Sequence, residues 1–423
     1  MRVLWIADGC SLQDVGNNSC LRSRYEWAFS EYATDVNLAL AYAADGKHDD
    51  RIVQNGITYY AVHSDMSIGI TEEQWEQAKA ELLQIIDEFK PDIIQCFGAE
   101  WPYGRIVEAT PVPVVIHMMG FLNIYYMSID MVYGRACNDK YKEEKKESLR
   151  TRVRKKLSEI IGKPVPDMPF VRPEVPRAES ERCVMAVNRY FHGRTEWDRN
   201  IVKYYSPGAE YFHVEEIVKL SMYAAAGTWK PCRDGKLRLF TCSAGDDRKG
   251  NDIILRTAKI LKELMNIDFE WKVAGSREFF AMFEERTGIR GSDVNVESIG
   301  YVDDSIIIQE LSKADFFIHP SIIDNSPHSV CEAQLIGCPV ISSNVGGLPQ
   351  LVSDGETGWL YPYNEPHTLA FLIGNLRENM ELLEAVSRRE TEIALKRHDP
   401  KKITGKLIEV YERICSNKYV PAK

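Results

Sequence analysis

The stretch of sequence that decides the fold runs from His319 to Pro362 and reads HPSIIDNSPHSVCEAQLIGCPVISSNVGGLPQLVSDGETGWLYP. It starts with a short apolar strand and a polar turn that carries Asp324, and it continues with an apolar helical stretch that carries Glu332. A second apolar strand at Val340–Ser342 and a turn at Gly346–Gly347 follow. Strands that alternate with helices in this way are typical of a parallel α/β sheet.

The carboxylates of Asp324 and Glu332 are separated by the turn that opens the helix. We predict that the helix begins at Pro327, because proline suits the first helical position, and that Asn325 or Ser326 caps it. The free N–H groups of a helix start favour an anionic or hydroxyl-rich ligand, which both carboxylates would reach. An ordinary α/β crossover with two surface carboxylates is the alternative.

Apolar runs alternate with helical patterns in both halves of the chain. The predicted strands are 3–7, 36–41, 57–62, 92–97, 112–118, 237–242, 269–274, 294–299, 315–319 and 340–342, and the predicted helices are 71–89, 252–265, 278–287, 305–312 and 327–335. This alternation predicts an α/β protein with two doubly wound, Rossmann-like parallel sheets that bind ligands at the carboxyl ends of the strands. The small and turn-forming residues of 224–235 predict a linker between domains at 1–223 and 236–402.

The composition restricts the class of protein. A chain of 423 residues is too long for one typical core, and its net charge of 52 − 62 = −10 argues against a general nucleic-acid binder. The ten cysteines show no C-x-x-C spacing, which indicates reduced thiols rather than disulfides or a zinc site. The N-terminus lacks the basic region of a signal peptide, and no apolar run approaches the roughly 18 residues of a spanning helix. We therefore expect a cytoplasmic protein that associates at most peripherally with the inner face of a membrane.

A second candidate site lies at Thr241–Asp252, which reads TCSAGDDRKGND. A predicted strand runs into a turn of small residues, and Arg248 and Lys249 stand just before the next helix. Small residues let the backbone approach a phosphate closely, and the two cations supply charge. The pattern predicts a phosphate site at Lys249, with Arg248 as a second candidate. A solvated pair of cations at a helix start is the alternative.

The segment 319–362 resembles the donor-site signature of glycosyltransferase family 4, the large retaining family with the GT-B fold. The matching residues are Asp324, Glu332-Ala333, Gly337-Cys338-Pro339-Val340 and Gly346-Gly347-Leu348-Pro349-Gln350. The family has glutamate where this chain has Asp324, and glutamate again where it has Gln350. Asp324 keeps the charge but is one methylene shorter, so we expect its contacts with a sugar to be reset.

The resemblance implies two Rossmann-like domains that face a central cleft, with a last helix at about 403–415 packed back onto the first domain. It implies a retaining, metal-independent enzyme of polysaccharide biosynthesis that moves a sugar from a nucleotide-sugar to a hydroxyl of a glycan, a lipid-linked acceptor or a small molecule. In the expected front-face mechanism, the leaving phosphate oxygen helps to remove the acceptor proton. No cofactor is expected, because the nucleotide-sugar is a substrate.

The resemblance also assigns roles to individual residues. The implied catalytic residues are Lys249, Asp324 and His117, and the implied substrate-binding residues are Gly16, Arg248, Tyr301, Val302, Ser326, Pro327, His328, Glu332, Gly346 and Gly347. Lys249 matches the lysine that neutralises the donor pyrophosphate, whereas the family's arginine falls on Ala244, which Arg248 would replace. Asp324 and the N–H groups of Ser326 and His328 would hold the donor sugar. Glu332 would accept from the ribose diol.

Backbone groups carry two further parts of the implied site. The main chain at Tyr301–Val302 would meet the nucleobase edge, and a simple turn at the end of a strand is the alternative. The Gly346–Gly347 turn would close near the nucleotide, although packing alone also explains two glycines there.

The first domain matches the family less closely. Gly16 stands in a segment where the family has a glycine-rich loop. The family's cleft histidine falls on Met119, and His117, two positions earlier on the same strand face, is the candidate replacement; a buried histidine is the alternative. The residues Gly193–Asp198 resemble a motif of one subgroup, in which the charged side chains line the cleft or join the domains.

The segment Leu149–Lys156 gathers five cations in an acidic protein. A basic helix can lie on an anionic membrane surface, and Leu157, Ile160 and Ile161 would add an apolar stripe. We therefore predict weak, salt-sensitive contact with anionic lipid, which would suit a lipid-linked acceptor. A solvated helix is the alternative.

Two other functions compete with sugar transfer. A nucleotide-sugar 2-epimerase of the same fold would act on the donor without an acceptor, and a catalytically impaired member would bind the donor without turnover. The departures at Ala244 and Met119 are the reason to keep the impaired member as an alternative. The absence of a G-x-G-x-x-G motif after the first strand argues against a dehydrogenase.

Overall fold

The fold contains two parallel sheets in separate halves of the chain. A computed structural model describes residues 1–7, 21–44, 51–63, 71–133, 174–231, 234–243 and 245–416. The strands are β1 (Arg2–Ala7), β2 (Asn37–Ala43), β3 (Arg51–Gln54), β4 (Ile57–Val62), β5 (Ile93–Phe97), β6 (Val114–His117), β7 (Tyr190–Gly193), β8 (Glu210–His213), β9 (Leu237–Ser243), β10 (Phe269–Gly275), β11 (Val296–Gly300), β12 (Phe316–His319), β13 (Val340–Ser343) and β14 (Trp359–Tyr361). The helices are α1 (Leu21–Tyr32), α2 (Glu72–Phe89), α3 (Leu122–Tyr133), α4 (Glu174–Val187), α5 (Glu196–Tyr205), α6 (Leu220–Ala224), α7 (Asn251–Lys259), α8 (Arg277–Thr287), α9 (Asp304–Lys313), α10 (His328–Ile336), α11 (Leu348–Leu351), α12 (Pro366–Leu376), α13 (Met380–Arg397) and α14 (Pro400–Ser416).

The N-terminal sheet has eight strands in the order β3-β4-β2-β1-β5-β6-β7-β8. Every neighbouring pair is parallel except β3 and β4, which pair antiparallel at one edge. The predicted doubly wound sheet is confirmed. The sequence pattern misses β3 (RIVQ), β7 (YFHG) and β8 (EYFH), because these short strands lack the run of three apolar residues that marks β6 (VVIH).

The C-terminal sheet has six parallel strands in the order β11-β10-β9-β12-β13-β14. The first strand of this half, β9, therefore lies between β10 and β12, and the strand order reverses beside it. In open α/β sheets, ligands bind beyond the carboxyl ends of the strands at such a reversal. The segments after β9 and β12 are the two candidate sites of the sequence.

The ends of α2, α7 and β11 are set by the local backbone conformation and by hydrogen bonds of neighbouring residues. Thr71 caps α2 as predicted: its hydroxyl accepts from Gln74 N at 3.2 Å, and Gln74 Oε1 accepts from Thr71 N at 2.9 Å. The helix predicted over 252–265 is wrong at its end, because α7 gives way to a π-helical turn at Ile260–Leu264. The strand predicted from residue 294 begins later, because the left-handed Asn295 (φ 59°) separates it from a preceding 3₁₀ turn.

The boundary between the two halves lies earlier than the predicted linker. Val218 and Met222 already belong to the buried core of the C-terminal half. Trp229 is buried in the same core, and its indole donates to Ala314 O at 2.6 Å. The segment predicted as a linker is thus packed onto the C-terminal domain, since Trp229 needs both an apolar site and an acceptor.

The last helix, α14, belongs to the N-terminal core although it ends the described chain. Ile403, Leu407, Val410, Tyr411 and Ile414 are buried there with β1 and α1. The chain therefore passes between the domains twice. The two passages touch, because His398 Nδ1 lies 2.7 Å from Glu216 O and Tyr223 OH donates to His398 O at 2.6 Å. In the part of the chain that the structure describes, no helix has the length and apolarity needed to cross a lipid bilayer.

Candidate functional site

The two candidate sites of the sequence meet at the point where the strand order reverses. Lys249 ends a 3₁₀ turn (Asp247–Lys249) after β9, and Asp324 lies in the segment after β12. Lys249 Nζ lies 2.5 Å from Asp324 Oδ2, and the side chains are only 13 % and 8 % exposed. The structure thus brings together one cation and one carboxylate at the carboxyl edge of the sheet.

Asp324 is held by a full set of polar partners. His319 Nε2 lies 3.2 Å from Oδ2, Ser321 Oγ lies 3.4 Å from the same oxygen, and Asn325 N donates to Oδ1 at 3.1 Å. Burial alone would raise the pKa of Asp324. The charge of Lys249, the hydrogen bond with His319 and the charge of Arg248 outweigh that effect and hold the pKa well below its usual value. Asp324 is therefore ionised at neutral pH.

A glycine allows the turn that carries Lys249 to approach the sheet. Gly250 has φ +67°, and a Cβ atom there would lie 2.0 Å from Pro320 O. Only glycine accepts both the left-handed conformation and this close approach. Position 250 therefore requires glycine. The close approach of Gly250 to Pro320 keeps Lys249 beside the segment that follows β12.

Arg248 occupies a different environment from its neighbour Lys249. Its Nε donates to Asp246 Oδ2 at 2.6 Å, and its guanidinium lies over the ring of Tyr125 at 4.0 Å. Nη1 lies 3.9 Å from Asp324 Oδ1, beyond hydrogen-bonding distance. Arg248 is thus at the edge of the site but already has a carboxylate and an aromatic partner, one of them from the N-terminal domain.

The start of α10 differs from the prediction by one residue. Pro327 is the N-cap (φ −67°, ψ 126°) and the helix begins at His328. Asn325, predicted as a cap, instead accepts from Thr195 Oγ1 at 2.6 Å and donates to Asp198 Oδ2 at 3.1 Å. This amide therefore joins the two domains, and the first turn of α10 keeps N–H groups without a capping side chain.

Glu332 lies one turn into α10 and faces two cations. Arg24 Nη2 is 3.8 Å and Lys219 Nζ is 3.9 Å from Glu332 Oε1, so neither makes a hydrogen bond. Burial raises the pKa of Glu332, while Arg24 and Lys219 act in the opposite direction. Arg24 and Lys219 thus balance the charge of the Glu332 carboxylate without forming hydrogen bonds to it. Its oxygens keep lone pairs that can accept from a hydroxyl group of a ligand.

His328 joins this site to the N-terminal domain through Glu216. Its Nε2 contacts Glu216 Oε1, and its Nδ1 contacts Arg24 Nη1. Burial and neighbouring cations, Arg24 first among them, hold the pKa of His328 well below its usual value, so the imidazole is neutral. Glu216 also binds Arg194, whose Nη2 donates to Met119 O at 2.9 Å.

The motif at Gly193–Asp198 joins the domains. Thr195 caps α5 in a capping box with Asp198, and the same two side chains bind Asn325. Glu196 N donates to Gln350 Oε1 at 2.6 Å, where the family signature has glutamate. Gln350 therefore has a structural contact across the cleft.

The Gly346–Gly347 turn is explained by packing. Gly346 has φ +55°, and a Cβ atom would lie 1.8 Å from Asp324 O; one at Gly347 would lie 2.3 Å from Asn325 O. Gly347 N donates to Asp324 O at 3.0 Å. These glycines therefore support the segment that carries Asp324, and the buried Ser326 lies in that segment.

The predicted base-binding residues lie at the carboxyl end of β11, which is an edge strand of the C-terminal sheet. Gly300 has φ +80°, Tyr301 is 77 % exposed, and Val302 is partly buried. Arg277 Nη2 donates to Ile299 O at 3.1 Å beside them. The strand end is open to a ligand, whereas the Lys249–Asp324 pair is enclosed.

His117 lies inside the N-terminal domain. It is fully buried on β6, its ring stacks on His192 with 4.3 Å between centroids, and Tyr25 and Phe97 enclose it. Burial lowers the pKa of His117 well below its usual value. The structure therefore supports the alternative of a buried histidine over the replacement of the cleft histidine, because β6 ends at His117 and the exposed Met119 lies beyond the end of the strand.

Three sets of predicted residues lie outside the described chain. They are Gly16, Ala244 and the basic segment Leu149–Lys156 with Leu157, Ile160 and Ile161. The predictions for them stand as made from the sequence.

The sequence reasoning missed Arg24, Lys219 and Glu216 as members of the site, whereas Arg194 belongs to the Gly193–Asp198 motif that it had singled out. Arg24 and Glu216 are far apart in the chain and carry no motif, and both become site residues only because the domains meet. The local signal for Arg24 is its place in the sequence beside residues of α1 that are buried, such as Tyr25 and Ala28. Arginine is rarely buried without a partner, so an arginine at such a position indicates a partner elsewhere in the fold.

The comparisons with known proteins fit this geometry. Residues 231–393 match the sequence model of the family described as Glycosyl transferases group 1. This segment of the C-terminal half is therefore similar to group 1 glycosyltransferase domains. Lys249, Asp324, Glu332 and the Gly346–Gly347 turn all lie within it.

The chain has curated relatives of low identity. The amylovoran biosynthesis glycosyltransferase AmsK of Erwinia amylovora is 27% identical over 150 residues, which are 34% of this chain and 36% of that protein. The alignments with the first curated relatives span less than half the length of those proteins.

Solved structures match the whole chain. A sucrose-phosphate synthase from Thermosynechococcus elongatus has a TM-score of 0.70 at 12% identity and covers 98% of this chain and 99% of that one. The Anabaena protein HepE in complex with UDP and glucose has a TM-score of 0.62 at 15% identity, covering 98% and 100%. At these identities the likeness establishes the fold, which is GT-B: two Rossmann-like domains that face a cleft.

Proposed function

We propose that this chain is a retaining glycosyltransferase that moves a sugar from a nucleotide-sugar to a hydroxyl acceptor. The observation that carries the proposal is the Lys249–Asp324 contact of 2.5 Å beside the first turn of α10, at the reversal of the strand order. A cation, a carboxylate and helix N–H groups at one place suit a ligand that combines phosphate with sugar hydroxyls. The glycosyltransferase names of the relatives and the UDP complex of HepE point the same way.

In the proposed reaction, Lys249 turns from Asp324 to the diphosphate and stabilises the charge that grows on it as the glycosidic bond breaks. Asp324 keeps His319, Ser321 and the Asn325 N–H as partners and accepts hydroxyls of the donor sugar. Glu332 accepts from the ribose. The leaving phosphate oxygen takes the acceptor proton on the same face, so the anomeric configuration is retained.

The acceptor belongs on the N-terminal side of the cleft, as either a glycan, a lipid-linked glycan or a small molecule. The relative named for amylovoran biosynthesis supports a role in polysaccharide assembly. The cytoplasmic location and the contact of the basic segment at 149–156 with anionic lipid remain parts of this proposal.

The experiment begins with the donor. Purified full-length protein is melted with UDP-glucose, UDP-N-acetylglucosamine, GDP-mannose and ADP-glucose, where a donor at about 100 times its Kd should add roughly 2.7 kcal/mol of stability. The stabilising donor is then incubated with glycan and lipid-linked acceptors, and products are identified by mass spectrometry and their anomeric configuration by NMR. Lys249→Ala serves as the inactive control.

Three outcomes contradict the proposal. Inversion at the anomeric carbon would rule out the retaining mechanism. An altered nucleotide-sugar without transferred sugar would indicate a 2-epimerase. Stabilisation by a donor with no turnover across the acceptor panel would indicate a binding protein.

We further propose that the reaction needs no metal, because Lys249 and the start of α10 supply positive charge where a divalent ion acts in other transferases. Among the described residues no group of three or more His, Cys, Asp and Glu side chains is placed to share a metal ion. Activity should be unchanged in excess EDTA. Loss of activity with EDTA that manganese restores would contradict this part.

A further inference from the structure

The first turn of α10 has a cation from the other domain beside it. Arg24 lies on α1, and its Nη1 contacts Nδ1 of His328, the first residue of α10. Its Nη2 lies 3.8 Å from Glu332 Oε1, about one turn further along that helix. The guanidinium therefore lies beside the first turn of α10. Val330 N and Cys331 N of that turn already donate to Pro327 O, so the N–H groups that the helix start offers a ligand are those of His328 and Ser329.

The guanidinium of Arg24 is buried, and its described neighbours do not accept from all of its N–H groups. Its side chain is 5 % exposed, and Nε has no hydrogen-bond partner among the residues that the structure describes. The distance to Glu332 is too long for a hydrogen bond, and the imidazole of His328 is neutral. Burying a cation is costly unless it is paired and hydrogen-bonded. Arg24 thus keeps N–H groups that an anion in the cleft would accept.

The cations of the C-terminal domain near the site are already engaged. Lys249 contacts Asp324 at 2.5 Å, and Arg248 binds Asp246 and lies over Tyr125. The arginine of the family signature has no counterpart at position 244, which is alanine. The diphosphate of a nucleotide-sugar carries a charge on each phosphate, so a single lysine leaves it incompletely neutralised.

We propose that Arg24 binds the diphosphate from the N-terminal side of the cleft, so that Lys249 and Arg24 hold it between the two domains. This inference rests on the proposed function and names a residue for it. The helix start lies between the two cations and adds its N–H groups.

A structural role for Arg24 makes a different prediction from a phosphate role. If Arg24 only balances the charge of Glu332, its loss weakens ribose binding. The Kd of a nucleoside and the Kd of its diphosphate then rise by the same factor. Lys219 is the matched control, because it lies 3.9 Å from the same Glu332 oxygen and is otherwise bound to Asp304. Only Arg24 of these two also contacts His328.

The test measures binding by calorimetry with UDP, GDP and ADP and with uridine, guanosine and adenosine. Arg24→Gln should raise the Kd of the preferred diphosphate about 10- to 100-fold, the usual cost of one charged hydrogen bond. The Kd of the nucleoside should stay within about two-fold. Arg24→Lys should recover part of the loss, because it restores the charge but not the two-pronged geometry. Lys219→Gln should weaken nucleoside and diphosphate by the same factor.

Melting curves establish that each variant is folded, and Arg24→Met replaces Arg24→Gln if the amide destabilises the buried position. Equal losses for nucleoside and diphosphate in the Arg24 variants, or an unchanged Kd for the diphosphate, would overturn the inference. A parent protein that binds none of the three diphosphates would instead overturn the proposed function itself.

Discussion

Lys249 and Asp324 show how a buried ion pair can be stable and still available. Taking both charges out of water is costly, and their attraction repays the cost only when further hydrogen bonds satisfy them. Asp324 has those bonds from His319, Ser321 and the Asn325 N–H, whereas Lys249 contacts Asp324 alone in the described site. A phosphate that replaces Asp324 as the partner of Lys249 therefore leaves the carboxylate satisfied.

Replacement of this lysine is the sharpest test at the residue scale. We expect Lys249→Ala to lower the turnover by about 10²- to 10³-fold, the usual cost of one charge-stabilising contact in a transition state. The measurement is the steady-state transfer rate. Lys236→Ala is the control, because Lys236 precedes β9 and so lies at the opposite end of the strand, paired with Glu270. Equal rates for parent and Lys249→Ala would show that this lysine has no part in the chemistry.

Glu332 allows a second prediction at the same scale. Glu332→Gln removes the charged acceptor for the ribose, so we expect nucleoside and nucleoside diphosphate to bind about 10- to 100-fold more weakly. Calorimetry with the preferred nucleotide measures the change. Glu270→Gln, at the amino end of the sheet, should leave both affinities unaltered. Normal nucleoside binding by Glu332→Gln would contradict the ribose role.

At the scale of elements, the start of α3 depends on a carboxylate from another helix. Glu181, on α4, accepts from Leu122 N at 2.6 Å and from Asn123 N at 3.2 Å, and so serves the N–H groups that a helix start leaves free. Burial raises the pKa of Glu181 to about 7, although the hydrogen bonds from Asn123 and Leu122 oppose it. The other part of α3 packs Tyr125 and Ile129 against Ile322 and Ile323 of the C-terminal domain.

The raised pKa predicts a pH dependence of stability. The folded state holds the Glu181 proton more tightly than the unfolded state does, so its contribution to stability falls as the pH rises from about 4.5 to about 7. In Glu181→Gln this part of the pH dependence should disappear, since glutamine still accepts but does not ionise. Melting temperatures from pH 4.5 to 7.5 would measure the difference.

Glu179→Gln is the matched control, because Glu179 lies on the same helix and is 61 % exposed. Its melting curve should run parallel to that of the parent. A parallel curve for Glu181→Gln as well would mean that Glu181 titrates alike in the folded and unfolded protein.

At the scale of the whole molecule, the two ends of the described chain are joined inside one domain. Tyr411 of α14 donates to Gln95 Oε1 at 2.7 Å and accepts from Trp5 Nε1 at 3.0 Å, and all three side chains are buried. The C-terminal domain is thus connected to the N-terminal domain by two passages of the chain.

Removal of one hydroxyl tests this connection. Tyr411→Phe leaves the buried N–H of Trp5 without an acceptor, so we expect a loss of about 1–3 kcal/mol in the free energy of unfolding. Calorimetric melting of the full chain measures the loss. Tyr204→Phe, at a side chain that is 78 % exposed, should melt as the parent does. A Tyr411→Phe protein with parental stability would mean that water replaces the hydroxyl.

The sequence by itself determined the features that depend on neighbours in the chain. The alternation of apolar strands and helices predicted both parallel sheets, and the Thr71 capping box follows from residues three apart. Lys249 and Asp324 were identified because turn chemistry and a local signature mark them. Such features need only a few residues, so their physical cause is present in a short stretch of sequence.

The tertiary structure alone decided which distant groups share the site. Arg24 and Glu216 reach His328 from another domain, and Asn325 leaves its expected cap to bind Thr195 and Asp198. His117 is enclosed because the strands on either side of β6 bring Phe97 and His192 against it. Burial, charge balance and hydrogen bonding between residues far apart in the chain are properties of the packed molecule, and no local pattern records them.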